Sequence, residues 1–182
     1  MRLVRSTSCI HSPGAPGQVR PVFLERVRRP RGVSSAMERD AKEAIVLART
    51  LMVLSASIIL ALGVLHLVYT FWGPKLTPRD PALHVSMSRV SPVITRETTM
   101  WRIWIGLNAS HSMGLILFGV IYGFLAIAQG PLLFQSPFLL IVGLVVLGGF
   151  LALGKVYFFS VPFAGIGISL ACYVASIAAS RV

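Results

Sequence analysis

The run LMVLSASIILALGVLHLVYTFW, residues 51–72, holds 22 residues and no formal charge. As a helix rising 1.5 Å per residue it spans about 33 Å, enough to cross a hydrocarbon core of about 30 Å. The rest of the chain agrees with a lipid solvent. Of its 182 residues 55% are hydrophobic and 13% charged, and its mean hydropathy is +0.77, values far from those of an ordinary soluble domain. Gly73 and Pro74 stop the run. MERDAKEAIVLARTL before it reads as a polar lead-in, with the helix entered from about Ala44.

Three more runs of the same kind follow. One starts near Thr99 and ends at Ala128, before Gly130 and Pro131. Another extends from Pro137 to Phe159 behind Ser136, an N-cap residue type placed before a first-turn proline. The last covers residues 161–180, where Ser160 and Pro162 repeat that start signal. The expected fold is therefore all-α, an integral membrane up-down four-helix bundle with helices at about 44–72, 99–128, 137–159 and 161–180. An even number of spans places both termini on the same side. The long polar loop 73–98, punctuated by Pro78, Pro81 and Pro92, joins the first two.

The formal charge of +11 resembles a nucleic-acid signal until its distribution is seen. Residues 1–36 carry seven arginines against the single acid Glu25, so the basic excess belongs mainly to a tail. That tail mixes Arg, Pro, Gly and Ser with no apolar period and reads as disordered. Three explanations compete: translation beginning at Met37, a basic arm on anionic lipid, or an Arg-rich transit peptide; the first is the leading expectation. With the tail counted, the positive-inside rule puts the termini in the cytoplasm. Counted from Met37, Arg39, Lys42, Arg49 and Arg181 stand against Lys75, Arg79, Arg89, Arg96 and Arg102, and the sign reverses. Cys9 and Cys172 have no partner at a spacing that implies a disulfide or a zinc site.

Function is expected where the spans spend polarity against lipid. On a wheel at 100° per residue, Trp101, Trp104, Asn108, His111, Ser112, Leu115, Gly119 and Tyr122 share one stripe of the second helix. Gly106, Ser110 and Gly114 share the opposite side, a small-xxx-small pattern that predicts close approach of another helix. The first helix gathers Ser55, Gly63, His66, Tyr69 and Thr70 on one face. His66 and His111 fall within roughly one helical turn of the same depth. Lys155 and Tyr157 come back to that side on the third helix. The expectation is a polar pocket of His66, Tyr69, Asn108, His111, Ser112 and Lys155, lidded by the loop and able to bind a small apolar or amphipathic, lipid-like ligand.

Each of these residues also has a plainer reading. A histidine in a span serves as an interhelical hydrogen-bond partner, and Lys155 snorkels to the interface. Arg79, Arg96, Trp101, Arg102 and Trp104 read as interfacial or headgroup contacts, and His84 in the loop has no partner at a useful spacing. Ligation of haem b by His66 and His111, or a quinone beside them, is a second reading from a different class. A third is a structural subunit of a homo-oligomer or membrane complex, resting on Gly106 and Gly114. The four spans contain no carboxylate, and the chain has no G-x-S-x-G, HExxH or P-loop, so no catalytic residue is expected, no enzyme is favoured and no metal or nucleic acid is called for.

The segments GVLHLVYTFWGPKLTPRDPAL and SPVITRETTMWRIWIGLNASHSMGLILFGVIYGFLA look like an uncharacterised family of small bacterial four-helix membrane proteins, similar in layout to the DoxX-like group. The resemblance covers roughly residues 45–180, and its specific part is the second-helix block. It implies a four-span fold, a multi-pass location in a bacterial inner membrane and, through the DoxX-like group, an association with redox and quinone-linked systems. It carries no site residues to this chain.

Overall fold

The computed structural model describes residues 31–181, with side chains from residue 36 onward. Among the described residues every element is helical: α1 (Arg31–Phe71), α2 (Pro81–Arg89), α3 (Met100–Ala128), α4 (Gly130–Gln135), α5 (Pro137–Tyr157) and α6 (Ser160–Ala179). Four of them, α1, α3, α5 and α6, are long and apolar enough to cross a membrane. No more than a third of any span's apolar window is buried inside the protein. Phe138, Val145, Ile127 and Phe124 stand outward, far more apolar surface than water tolerates on a monomer. The chain is a multi-pass membrane protein of the all-α four-helix class.

The expected boundaries hold for three spans and fail for the first. α1 begins at Arg31, not near Ala44, and so takes in residues 31–36, which the sequence reading assigned to a disordered tail. The reason is local: from Ala36 to Ala44 the chain is Ala, Met, Glu, Arg, Asp and Lys, mostly strong helix formers, and helix propagation from the buried span costs little. The tail itself, residues 1–30, lies outside the described residues. Thr99 caps α3, its Oγ1 accepting from Arg102 N at 3.4 Å, and Ser136 Oγ caps α5 through Leu139 N at 3.4 Å. Ser160 does not cap α6. It is the first helical residue, behind Phe159, with no side-chain cap.

Two short helices are additions to the expected layout. The loop 73–98 contains α2, set by an Asp80 side chain that accepts from Ala82 N at 2.9 Å and by Pro81 at the first helical position. Between α3 and α5 the chain does not simply turn at Gly130 and Pro131; it makes α4, whose Leu133 is fully buried.

In the bundle α1 packs on α3 along one side and on α6 along another, and α5 packs on α6. The α1–α3 approach is set by glycines other than the expected ones. A Cβ at Gly119 would lie 2.8 Å from the Ala56 carbonyl oxygen, and one at Gly63 would lie 2.8 Å from Leu115 Cβ. By contrast Gly106 has nothing within 4 Å, Ser110 is exposed and Gly114 meets only Phe150 at 3.9 Å. Among the described residues the predicted small-residue interface on that side of α3 is thus absent. α1 occupies the Gly119 side because the apolar core residues Leu115, Phe118 and Tyr122 lie there too.

The α1–α6 contact is a serine ladder with heptad spacing. Ser176 Oγ donates to Ala48 O at 2.6 Å; seven residues earlier on α6 and later on α1, Ser169 Oγ lies 3.0 Å from Ser55 O and 2.9 Å from Ser55 Oγ. All three serines are fully buried. In lipid a hydroxyl has no water to fall back on, so bonding to a neighbouring backbone holds the helices at short range. Tyr122 and Tyr173 do the same for α5, donating to the adjacent carbonyls Leu139 O at 2.7 Å and Leu140 O at 3.0 Å. Gly143 is what lets both rings reach that backbone: a Cβ there would run into the Tyr173 hydroxyl and lie 2.9 Å from Tyr122 Cε1.

Candidate functional site

At the loop end the packing opens. A cavity of about 400 Å³ lies among α1, α3, the loop and the α5–α6 turn, lined by Leu62, Leu65, His66, Tyr69, Lys75, Leu76, His111, Leu115, Phe158, Phe159, Val161, Pro162 and Ile166. That volume falls within the range of small-molecule sites, and so does its makeup of apolar walls with a few convergent polar groups. The serine ladder and the tyrosine pair close the other half of the bundle; here α5 has ended at Tyr157 and α6 has just begun at Ser160.

The two histidines expected at one depth meet. Their ring centroids are 5.4 Å apart with planes at 78°. His66 is anchored from outside the cavity. Asn108 Nδ2 donates to Trp104 O at 2.8 Å, which turns Asn108 Oδ1 toward His66 Nε2 at 3.1 Å. The amide oxygen can only accept, so His66 carries its hydrogen on Nε2 and, when neutral, keeps Nδ1 as an acceptor. His111 has no such anchor. It is held by packing alone, edge-on to Phe150 at 5.2 Å and near Phe158 at 5.6 Å, and among the described residues no hydrogen bond reaches its ring nitrogens. A half-buried imidazole with no hydrogen-bond partner among the described residues, on the wall of a cavity, can bond a molecule that enters through either ring nitrogen.

Of the six expected pocket residues the structure brings three to the cavity wall: His66, Tyr69 and His111. Asn108 supports the wall by orienting His66. Ser112 sits beneath it, fully buried, its hydroxyl donating to Asn108 O within its own helix at 2.9 Å. Lys155 does not take part. It lies in the last turn of α5, exposed and off the cavity wall, because the turn brings Phe158 and Phe159 to the site in its place. The cation at the cavity is instead Lys75, whose Nζ lies 5.9 Å from the Tyr69 ring centroid. In the sequence Lys75 is one of several loop charges, and the signal that could have found it is its position four residues past the end of α1, close enough for its long side chain to turn back to Tyr69.

The expected interfacial contacts divide similarly. Arg79, Arg96 and Arg102 are exposed and away from the cavity. Trp104 is more than an anchor, since its Nε1 donates to Leu76 O at 3.0 Å and ties the loop to α3. Trp101 packs edge-on against His84 of α2 at 4.4 Å, a ring contact that its spacing did not reveal, while His84 Nε2 is buried with no hydrogen-bond partner among the described residues. A second hollow of about 260 Å³ lies beside the first, with Tyr69 and Leu76 lining both.

The geometry does not suit haem. Bis-histidine ligation places a macrocycle between two imidazoles whose nitrogens point at one iron from opposite sides. Here the two rings are already in contact edge to face, and His66 Nε2 is committed to Asn108. Among the described residues no three His, Cys, Asp or Glu side chains come together as a metal site.

Fold and site together define a class: a polytopic α-helical membrane protein with an intramembrane cavity lined by histidines. Compared with known protein families, with curated proteins and with solved structures, the chain finds no match. The reading of its function therefore rests on the chemistry of the cavity.

Proposed function

We propose that the protein is a non-enzymatic, multi-pass component of a bacterial inner membrane, of the DoxX-like layout, that binds a small or lipid-like ligand in the cavity beneath the loop. The observation that carries the reading is His111, an imidazole at membrane depth with no hydrogen bond among the described residues, facing about 400 Å³ of space walled mainly by apolar side chains. Placing such a group in lipid is costly and is retained where it meets a ligand or another polar group. The bacterial source and the DoxX-like layout rest on the two quoted segments, and the location of both termini on one side rests on the even number of spans.

Native mass spectrometry of gently purified full-length protein tests the reading. A bound mass of fixed stoichiometry, lost in His111→Ala and in His66→Ala, is the expected result. Recovery of bulk phospholipid alone, stripped equally from wild type and variants, would sink it.

A neutral quinone is the second reading, favoured by the aromatic edges of Phe150 and Phe158 around His111. Solvent extraction of the purified protein that yields no quinone removes that reading.

A further inference from the structure

The cavity's own chemistry narrows the ligand. Among the described residues Lys75 is the one charged side chain on its wall, and no Asp or Glu lines it. Lys75 has no carboxylate partner among the described residues; its ammonium rests against the Tyr69 ring at 5.9 Å, a contact weaker at an exposed site than a charge-assisted hydrogen bond to an anion. The same wall carries Tyr69 and the His111 ring, both able to donate. The rest of the wall is aliphatic or aromatic. Leu62 lies nine residues before the end of α1, about 13 Å deeper into the bilayer than Phe71, and Leu115 and Ile166 close the bottom beside it. The polar end of the site is therefore at the loop and the apolar end within the membrane.

Access is also visible. Three wall residues face both the cavity and the surrounding lipid, Leu65 at 51%, Val161 at 68% and Phe159 at 72% exposure. These exposed wall residues, on α1 and at the start of α6, leave the cavity uncovered on that side, which a bilayer would cover with lipid. At about 400 Å³ it is near the lower end of ligand-site volumes, room for one chain and not for two acyl chains with a headgroup.

We propose that the site takes a single-chain amphiphile with an anionic head, admitted sideways from the leaflet on the loop side, with the head at Lys75 and the chain running toward Leu62 and Ile166. This rests on the ligand-binding reading of the cavity and sharpens it to a charge and a shape.

The full-length protein in phosphatidylcholine nanodiscs, with empty nanodiscs subtracted, tests the proposal with three radiolabelled probes of equal chain: dodecanoate, dodecanol and dodecyltrimethylammonium. Dodecanoate is expected to bind at least tenfold more tightly than dodecanol, and the ammonium probe not above background. Lys75→Met should bring dodecanoate to within twofold of dodecanol, while Lys75→Arg keeps the preference. Equal binding of dodecanoate and dodecanol by the wild type, or a preference unchanged in Lys75→Met, overturns the anionic head and leaves the cavity reading standing. Binding of none of the three probes above empty discs overturns the proposal and counts against the cavity reading as well. Since Lys75 is exposed in the loop, its replacement leaves the packed helices untouched.

Discussion

The two halves of the bundle spend polarity in opposite ways. In the half away from the long loop the buried serine and tyrosine hydroxyls are matched by protein on a neighbouring helix: Ser176 to Ala48 O, Ser169 to Ser55 O, Ser55 Oγ to Ser169 Oγ, Tyr122 to Leu139 O and Tyr173 to Leu140 O. In the half beneath the loop, His66 has one partner, His111 has none within the described residues, and both look onto open space. Burial of a polar group is expensive in either place. Where it is matched by protein the result is helix packing; where it is left unmatched beside a cavity, as at His111, the ring nitrogens stay open to whatever enters.

The sharpest way to break this contrast is to disturb the closed half at its tightest point. Gly143→Val should destabilise the protein by about 3 kcal/mol, because its side chain would displace both tyrosine rings from the α5 backbone; thermal unfolding in detergent measures it. Ser169→Ala and Ser176→Ala should each cost about 1 kcal/mol in the same assay, the scale of an interhelical hydrogen bond in a membrane. In the open half, His111→Ala should change stability by less than about 1 kcal/mol, since it removes no hydrogen bond, yet abolish the bound mass. If it unfolded the protein as severely as Gly143→Val, the two halves would not differ in kind. The smallest effect is expected at Gly106. With nothing within 4 Å, Gly106→Ala should be neutral or stabilising by up to about 1 kcal/mol, opposite in sign to the change at Gly143.

That last pair shows what the residues did and did not reveal in advance. Long uncharged runs disclose spans directly, because lipid imposes the same demand on every residue, and the stripe through Asn108, His111 and Ser112 was legible from helical spacing alone. Which stripe of small residues forms an interface was not legible. Gly106, Ser110 and Gly114 match the pattern for close packing as well as Gly119 and Gly123 do, and only the position of the large residues Leu115, Phe118 and Tyr122 decides between them. The Ser169–Ser176 spacing was equally visible, but it becomes a ladder only once α6 is known to lie against α1. α2 escaped notice because its start depends on one side-chain cap at Asp80 and its stability on docking to α3. Lys75 and Phe158 reach the cavity through chain turns, which helical periodicity does not describe.

The unbroken length of α1 has a consequence for how the protein breathes. Its 41 residues rise about 61 Å, and a hydrocarbon core of about 30 Å covers only half of that. One continuous helix thus lives in two solvents. Amide groups from Glu38 to about Arg49 compete with water for their hydrogen bonds, while those from Thr50 to Phe71 have no alternative partner. Deuterium exchange should therefore divide α1 near Arg49, fast on one side and slow on the other, with no break in the backbone to mark the boundary.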